Sequence, residues 1–70
     1  MLMTTGTVKL FNDDQGFGYI TRDDDGTDIW AHFKEIQTDG FKYLVEGQRV
    51  RFEVEQGPKF LLAKRIFPIL

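Results

Sequence analysis

The sequence predicts an all-β protein in which five short strands close into a small barrel. Apolar and polar residues alternate along several short segments, and this period is typical of half-buried strands. Clusters of turn-forming residues separate the segments, and one longer connection interrupts them. Short strands joined in this way favour a small barrel. Because 70 residues suffice for one domain and the sequence contains no repeat, we expect residues 1–70 to form a single domain.

The first three strands are predicted over residues 5–12, 16–21 and 28–33. β-Branched and aromatic residues occur in the first segment, which ends in an Asn-Asp-Asp turn. Strict alternation along it places Val8 and Leu10 on the same face. The second and third segments are separated by an acidic turn that contains Asp25 and Gly26, a pair common in hairpins. We therefore expect these two strands to pair antiparallel.

The second half of the chain begins with a long connection and a fourth strand. Residues 34–47 keep no strand or helix period, and we expect a long connection with one helical turn around 34–36. Residues 48–55 alternate most regularly, with charged residues between three apolar side chains. These side chains form the predicted core stripe: Val50, Phe52 and Val54.

The last segment, residues 59–67, fits the period of a strand or of a short helix. The β composition upstream and the short turn at Gly57 and Pro58 favour a strand. Pro68 ends it, because proline cannot donate a hydrogen bond to a neighbouring strand.

Composition limits the class of protein. There is no cysteine, so neither a disulfide framework nor a thiolate metal site is available. The N-terminus lacks the pattern of a signal peptide, and no apolar run approaches the roughly 20 residues of a membrane helix. These features predict a cytoplasmic protein that does not contact a membrane.

The residues that catalysis requires are scarce. The chain has one histidine and neither serine nor cysteine, so nucleophile–base arrangements lack their components. Carboxylates occur as runs in predicted turns, where solvated charge is the ordinary role. The run before Gly26 does not fit a calcium loop, because Thr21 and His32 would occupy positions that require acidic residues. We expect no enzymatic activity, no metal and no cofactor.

The net charge of −2 argues mildly against a protein that binds nucleic acid. The distribution of charge matters more than the sum. Six of the eleven acidic residues lie mostly in predicted turns, whereas Lys9 and Arg22 lie close to strands that carry aromatic residues.

Flat side chains share one face of the second and third strands. Phe17 and Tyr19 point to one side of their strand, and Trp30 and His32 share a face of the next. Antiparallel pairing brings these four together. A contiguous exposed aromatic patch usually marks a binding site, and flat rings beside glycines suit the stacking of unpaired bases. The opposite face is the predicted core, with Ile20, Ile29 and Ala31, and alternation places Phe33 there as well. Alternatively, the rings pack under a long loop or form half of a thicker core.

Several motifs in order resemble those of the bacterial cold-shock proteins. Residues 6–12, G-T-V-K-L-F-N, and 16–20, G-F-G-Y-I, resemble the family's opening and its first nucleic-acid motif. Residues 29–33, I-W-A-H-F, resemble the second motif, usually V-F-V-H-F. Residues 37–44 and 46–48 resemble the family's long loop and the start of its fourth strand. The resemblance is strongest over residues 5–59, and it implies a single cold-shock domain, an OB-type, five-stranded antiparallel barrel.

The resemblance also implies a function. Members of the family bind single-stranded RNA and DNA with low sequence selectivity, often as RNA chaperones in cold-shock or stress responses. Matched positions imply base stacking on seven side chains and a backbone contact from a lysine: Phe11, Phe17, Tyr19, Trp30, His32, Phe33 and Phe41, with Lys9. The sequence does not distinguish RNA from DNA as the physiological ligand.

The chain departs from the family pattern within the motifs. Leu10 stands where the family usually has tryptophan, which removes one ring. Gln15 stands where lysine is usual, which removes a phosphate contact. Trp30 and Tyr19 replace phenylalanine and should keep or strengthen stacking.

The tail over residues 60–70 is atypical, because it is more apolar than one face of a strand requires. Alternation places Phe60, Leu62 and Ile66 on one side and Leu61, Ala63 and Phe67 on the other. We expect the uncovered side to form a homodimer, through the tail itself or by strand exchange across 34–47. Alternatively, the tail folds back over its own barrel. The second candidate function is a protein-interaction or oligomerisation module that uses the aromatic face and this tail.

Overall fold

The computed structural model describes residues 3–37 and 43–69, which form five strands and one short 3₁₀ turn. The strands are Met3–Asn12 (β1), Phe17–Arg22 (β2), Asp28–His32 (β3), Arg49–Gln56 (β4) and Leu61–Pro68 (β5), and the 3₁₀ turn is Phe33–Glu35. Within these ranges, no helix is long and apolar enough to cross a membrane.

The five strands close into a barrel in the order β1-β2-β3-β5-β4, which confirms the predicted all-β barrel. All neighbouring pairs are antiparallel except β3 and β5, which run parallel. The sequence predicted antiparallel pairing throughout. A ring with an odd number of strands cannot alternate in direction all the way round, so one pair must be parallel.

The turns agree with the predictions. The predicted hairpin joins β2 to β3: the Arg22 N–H donates to the Thr27 carbonyl over 2.8 Å, and Gly26 has a φ of +74°. The helical turn predicted around 34–36 is the 3₁₀ turn at Phe33–Glu35. A strand is also confirmed for the last segment, in preference to a short helix.

A β-bulge in β1 changes the direction of its side chains. Val8 pairs with Ile20 and Leu10 with Tyr19, so Lys9 is an extra residue without an opposite partner on β2. Val8 is 1% exposed, whereas Leu10 is 43% exposed. The prediction that Val8 and Leu10 share a face is therefore wrong, because a bulge inserts one residue into the alternation.

A second irregularity lies in β5. Glu53 pairs with Lys64 and Arg51 with Phe67, so Arg65 and Ile66 together lie opposite the single residue between their partners on β4. Arg65 adopts a φ of +52°, which residues other than glycine rarely do. The extra residue turns both Ala63 and Ile66 into the core. The tail alternation, which placed these two on opposite sides, is wrong for this reason.

Among the described residues, ten apolar side chains that are at most 3% exposed fill the barrel: Val8, Ile20, Ile29, Ala31, Ile36, Leu44, Val50, Phe52, Ala63 and Ile66. The predicted core face of β2 and β3 is confirmed for its three aliphatic residues. Phe52, on the predicted stripe of β4, is the largest of these fully buried side chains, and Val54 is half-buried against the cluster.

An ion pair fastens the β2–β3 turn to the barrel. Arg49 donates from Nη1 and Nη2 to the two carboxylate oxygens of Asp23 over 2.8 and 2.7 Å. The Thr5 hydroxyl donates to the same carboxylate over 2.6 Å, and Arg49 Nη1 also donates to the Thr7 hydroxyl. The hydrogen bonds from Arg49, and then that from Thr5, lower the pKa of Asp23 from 3.8 to about 2. Four side chains thus link β1, β4 and the turn.

This cluster predicts a fall in stability at acid pH. The pKa of Asp23 is lower in the folded state than its value of 3.8 in an unpaired carboxyl, so the unfolded chain binds more protons between those values. Stability from the pair is complete above about pH 4 and is lost as the pH falls toward 2. Urea midpoints measured from pH 5 to pH 2 should fall less steeply in Asp23→Asn than in the wild type.

The matched control is Asp14→Asn, which removes a carboxylate from the β1–β2 turn. It should keep the wild-type dependence on pH. Equal slopes for Asp23→Asn and the wild type would contradict the prediction.

Candidate nucleic-acid interface

The strand register aligns outward-facing side chains in rows across the sheet. Tyr19 on β2 lies between Leu10 on β1 and Trp30 on β3, and in the next row Phe17 lies opposite His32. Tyr19 is 41% exposed, and the other three aromatic side chains are half-buried. The prediction that Phe17, Tyr19, Trp30 and His32 lie side by side is confirmed.

The rings contact one another in a continuous row. From the Trp30 ring, the centroid of His32 is 5.4 Å away at an interplanar angle of 35°, and that of Phe60 is 5.8 Å away at 56°. Phe33 extends the row beyond His32, with 4.6 Å between their centroids. Phe17 meets Trp30 edge-on, at 6.0 Å and 87°. We call this surface the aromatic platform; it comprises Phe17, Tyr19, Trp30, His32, Phe33 and Phe60.

Two glycines let the backbone approach beneath the platform. At Gly18 a Cβ atom would clash with the Leu10 carbonyl oxygen and would lie 2.6 Å from the Phe11 Cα. Only glycine therefore allows the backbones of β1 and β2 to approach this closely. Gly16 has a φ of +78°, and a Cβ there would lie 2.6 Å from the ring carbon Cδ1 of Phe33. The Phe33 N–H also donates to the Gly16 carbonyl over 2.8 Å. The β1–β2 turn thus supports the Phe33 ring from behind.

His32 ends β3 and caps the 3₁₀ turn. Its Nδ1 accepts a hydrogen bond from the Lys34 backbone N–H over 3.2 Å, which fixes the ring orientation. When the ring is neutral, the proton then resides on Nε2, which can donate to a ligand. The chain leaves the sheet at this point, so Phe33 is 37% exposed. The alternation that placed Phe33 on the core face is wrong, because the strand ends one residue earlier.

Lys9 lies beside the platform but has a partner. Its Nζ lies 2.8 Å from Asp28 Oδ2, and the Thr21 hydroxyl donates to the other Asp28 oxygen over 3.0 Å. The hydrogen bond and charge of Asp28 raise the pKa of Lys9. The hydrogen bonds from Lys9 and then from Thr21 lower the pKa of Asp28. The Lys9 side chain is largely exposed, and a phosphate there must compete with Asp28 for the ammonium group.

Two further residues are implied by the resemblance, and the structure describes one of them. Phe11 is half-buried and packs against the core cluster, so its ring is only partly accessible. Phe41 lies outside the described residues.

Phe60 belongs to the platform and was not identified from the sequence. It precedes β5 in the chain, whereas Trp30 lies on β3, and the parallel pairing of these strands brings the two together. The only signal in the sequence was an aromatic residue soon after the Gly-Pro turn. An aromatic residue at that position can be placed next to Trp30 only once the last strand is known to pair with β3.

Known proteins resemble this chain both in sequence and in fold. A family model described as the "Cold-shock" DNA-binding domain matches residues 4–69. The Cold shock-like protein CspA of Shewanella violacea is 55% identical over 65 residues, 93% of each chain. Cold shock protein 2 of Lactiplantibacillus plantarum is 54% identical over 66 residues, 94% of this chain and 98% of the relative.

A solved structure has the same fold. The Drosophila structure described as "drosophila Unr CSD456" matches with a TM-score of 0.83 over 99% of this chain, at 23% sequence identity. This chain spans only 27% of that one, and the likeness concerns the fold alone. The resemblance seen in the motifs is thus confirmed by the family model and by relatives that are about 55% identical along nearly the whole chain. The chain belongs to the cold-shock domain family.

Proposed function

We propose that this protein binds single-stranded RNA and DNA by stacking unpaired bases on the aromatic platform. One observation carries the proposal: the rings from Phe60 through Trp30 and His32 to Phe33 form a continuous, partly exposed row on the outside of the barrel. Stacking of a base on an aromatic side chain contributes about 1–3 kcal/mol. Such a row offers several contacts in succession along a flexible strand.

The geometry favours single strands. Neighbouring rings along the row are tilted by 35–56°, so bases that lie on them must separate from one another. Bases in a duplex remain stacked on their neighbours and cannot follow these tilts. Because every base has a π-face, selectivity among sequences is low. Binding of the open form shifts a hairpin toward that form by mass action, without catalysis or a cofactor. This activity is that of an RNA chaperone, exercised in the cytoplasm.

Charge contributes less than stacking in this proposal. The net charge is −2, and Lys9, the lysine assigned to the nucleic-acid backbone, is held by Asp28. Since each phosphate contact steepens the dependence of affinity on salt, we expect a shallow dependence here. In this proposal, the partly accessible Phe11 ring contacts the nucleic acid at the edge of the interface. Phe41 provides one more stacking contact, as the family resemblance implies.

Trp30 allows a direct test, because it is the only tryptophan in the chain. Titration with oligo-dT should quench its fluorescence and raise the anisotropy of a labelled oligonucleotide. Poly-glutamate and a duplex of the same length are the controls, and neither should produce the change. Unaltered fluorescence and anisotropy at high micromolar oligo-dT would overturn the proposal. If poly-glutamate bound as tightly as oligo-dT, the surface would be a nonspecific site for polyanions, and the proposal would also be overturned.

Leu10→Trp should tighten binding. Leu10 is 43% exposed and lies opposite Tyr19, so an added ring extends the platform without entering the core. The gain should approach the value of one stacked base, about 1–3 kcal/mol, in a titration followed by oligonucleotide anisotropy. Val45→Trp, at another exposed position, is the control and should leave affinity unchanged. Unaltered affinity together with a lower urea midpoint for Leu10→Trp would contradict this role.

The expected homodimer is a separate proposal. β5 already pairs with β3 and β4, so strand exchange would replace pairs that one chain makes by itself. The tail instead offers exposed side chains, notably Phe60 and Ile69, for contact with a second copy. Sedimentation equilibrium decides this point, since a constant monomer mass at hundreds of micromolar would exclude the dimer.

A further inference from the structure

Phe60 is held in place by the turn between β4 and β5. The Gly57 N–H donates to the Phe60 carbonyl over 3.0 Å, which closes the turn. A Cβ on Gly57 would lie 2.7 Å from that carbonyl oxygen, so the backbone here is tightly folded. The turn therefore fixes the backbone from which the Phe60 side chain projects.

The Phe60 ring is available for contact with a ligand. Half of the residue is exposed, at 50%, and it does not belong to the core cluster. Its ring contact is with Trp30, at 5.8 Å, and it lies at the opposite end of the aromatic row from Phe33. Phe60 thus extends the row from β3 to the edge of β5.

A positive charge accompanies this ring. Lys59, the preceding residue, is exposed and takes part in none of the ion pairs found over residues 3–37 and 43–69. Lys9, by contrast, is engaged by Asp28. In these ranges, a lysine without an ion pair directly precedes an exposed aromatic ring in the chain. This combination suits a nucleotide, since the ring can stack on its base and the ammonium group can pair with its phosphate.

We propose that Phe60 and Lys59 form an additional nucleotide site at the β5 end of the aromatic platform. The ring stacks one base of a single strand of RNA or DNA, and the Lys59 ammonium group contacts an adjacent phosphate. This inference rests on the proposed function and deepens it. Because Leu10 supplies no ring on the β1 side, the bound strand is displaced toward β5 and extends one nucleotide beyond Trp30.

The test measures affinity against oligonucleotide length. Oligo-dT is lengthened one nucleotide at a time, and binding is followed by anisotropy for the wild type and Phe60→Ala. The wild type should reach its maximal affinity at a length one nucleotide greater than Phe60→Ala does. At that length Phe60→Ala should bind at least about fivefold more weakly, the loss of one stacked base. Phe60→Tyr, which keeps a ring, should bind like the wild type.

The matched control is Phe67→Ala. Phe67 lies on β5, the strand that Phe60 precedes, but its ring contacts Arg51, 5.6 Å from the ring centroid, and not the platform. This variant should show the wild-type dependence on length. Lys59→Gln should reduce the slope of log affinity against log salt by about 0.7, the value for one phosphate contact on a single strand.

The outcomes separate this inference from the proposed function. If the wild type binds no oligonucleotide, the proposed function fails. If the wild type binds and Phe60→Ala has the same maximal length and affinity, only the additional site is overturned. Circular dichroism checks that the variants fold. Should Phe60→Ala not fold, Phe60→Leu keeps the apolar volume without the ring, and wild-type binding by that variant overturns the site.

Discussion

Replacing Phe52 with alanine should lower the free energy of unfolding by about 3–5 kcal/mol, the usual cost of removing a buried phenylalanine ring. Phe52 is fully buried at the centre of β4. It packs against β1 so closely that a Cβ on Gly6 would lie 3.1 Å from its ring. It also lies opposite Arg65 and Ile66, the two residues of the β5 irregularity. Loss of the ring leaves a cavity where three strands meet, and a domain of this size has little stability in reserve.

Urea denaturation at neutral pH measures this effect. Phe67→Ala is the comparison on the neighbouring strand. Its ring is only half-buried, so the cost should be well below that for Phe52. If Phe52→Ala lost less than Phe67→Ala, the core would not be organised around β4 as described.

Replacing Phe17 with alanine should weaken binding of oligo-dT by about 5- to 150-fold, which corresponds to 1–3 kcal/mol for one stacked base. Phe17 lies opposite His32 and meets the Trp30 ring edge-on. The substitution removes one stacking surface and also a side wall of Trp30. Because Phe17 is half-buried and lies outside the core cluster, the free energy of unfolding should change less than in Phe52→Ala.

Anisotropy of a labelled oligonucleotide gives the affinity, and urea denaturation of the same sample gives the stability. Phe17→Tyr keeps the ring and should bind like the wild type. Two results would contradict the assignment: wild-type affinity in folded Phe17→Ala, or a loss of stability as large as that of Phe52→Ala.

Sequence periodicity correctly predicted which side chains face the core wherever two paired strands match residue for residue. The faces of β2, β3 and β4 follow alternation, and Ile20, Ile29 and Val50 are buried as expected. The predictions failed around Lys9 and around Arg65, where one strand carries one residue more than the neighbouring strand that it pairs with. A bulge is fixed by the register of two distant segments, and the local pattern does not contain that information.

The site shows the same division. Phe17 and Trp30 could be placed together because they lie on strands joined by a recognisable hairpin. Phe60 could not, because its contact with Trp30 depends on a parallel pairing between segments far apart in the chain. The exposure of Phe33 likewise depends on where β3 ends, and alternation alone cannot locate that point.

Closure of the barrel has a consequence for how the protein behaves in concentrated solution. Each of the five described strands has a hydrogen-bonded neighbour on both sides, so the sheet that they form has no open edge strand along which a foreign strand could be added. Two molecules that meet through their platforms touch only side chain to side chain, and such contacts dissociate without leaving a growing fibril. The fold can therefore expose several aromatic side chains for ligand binding and still resist aggregation.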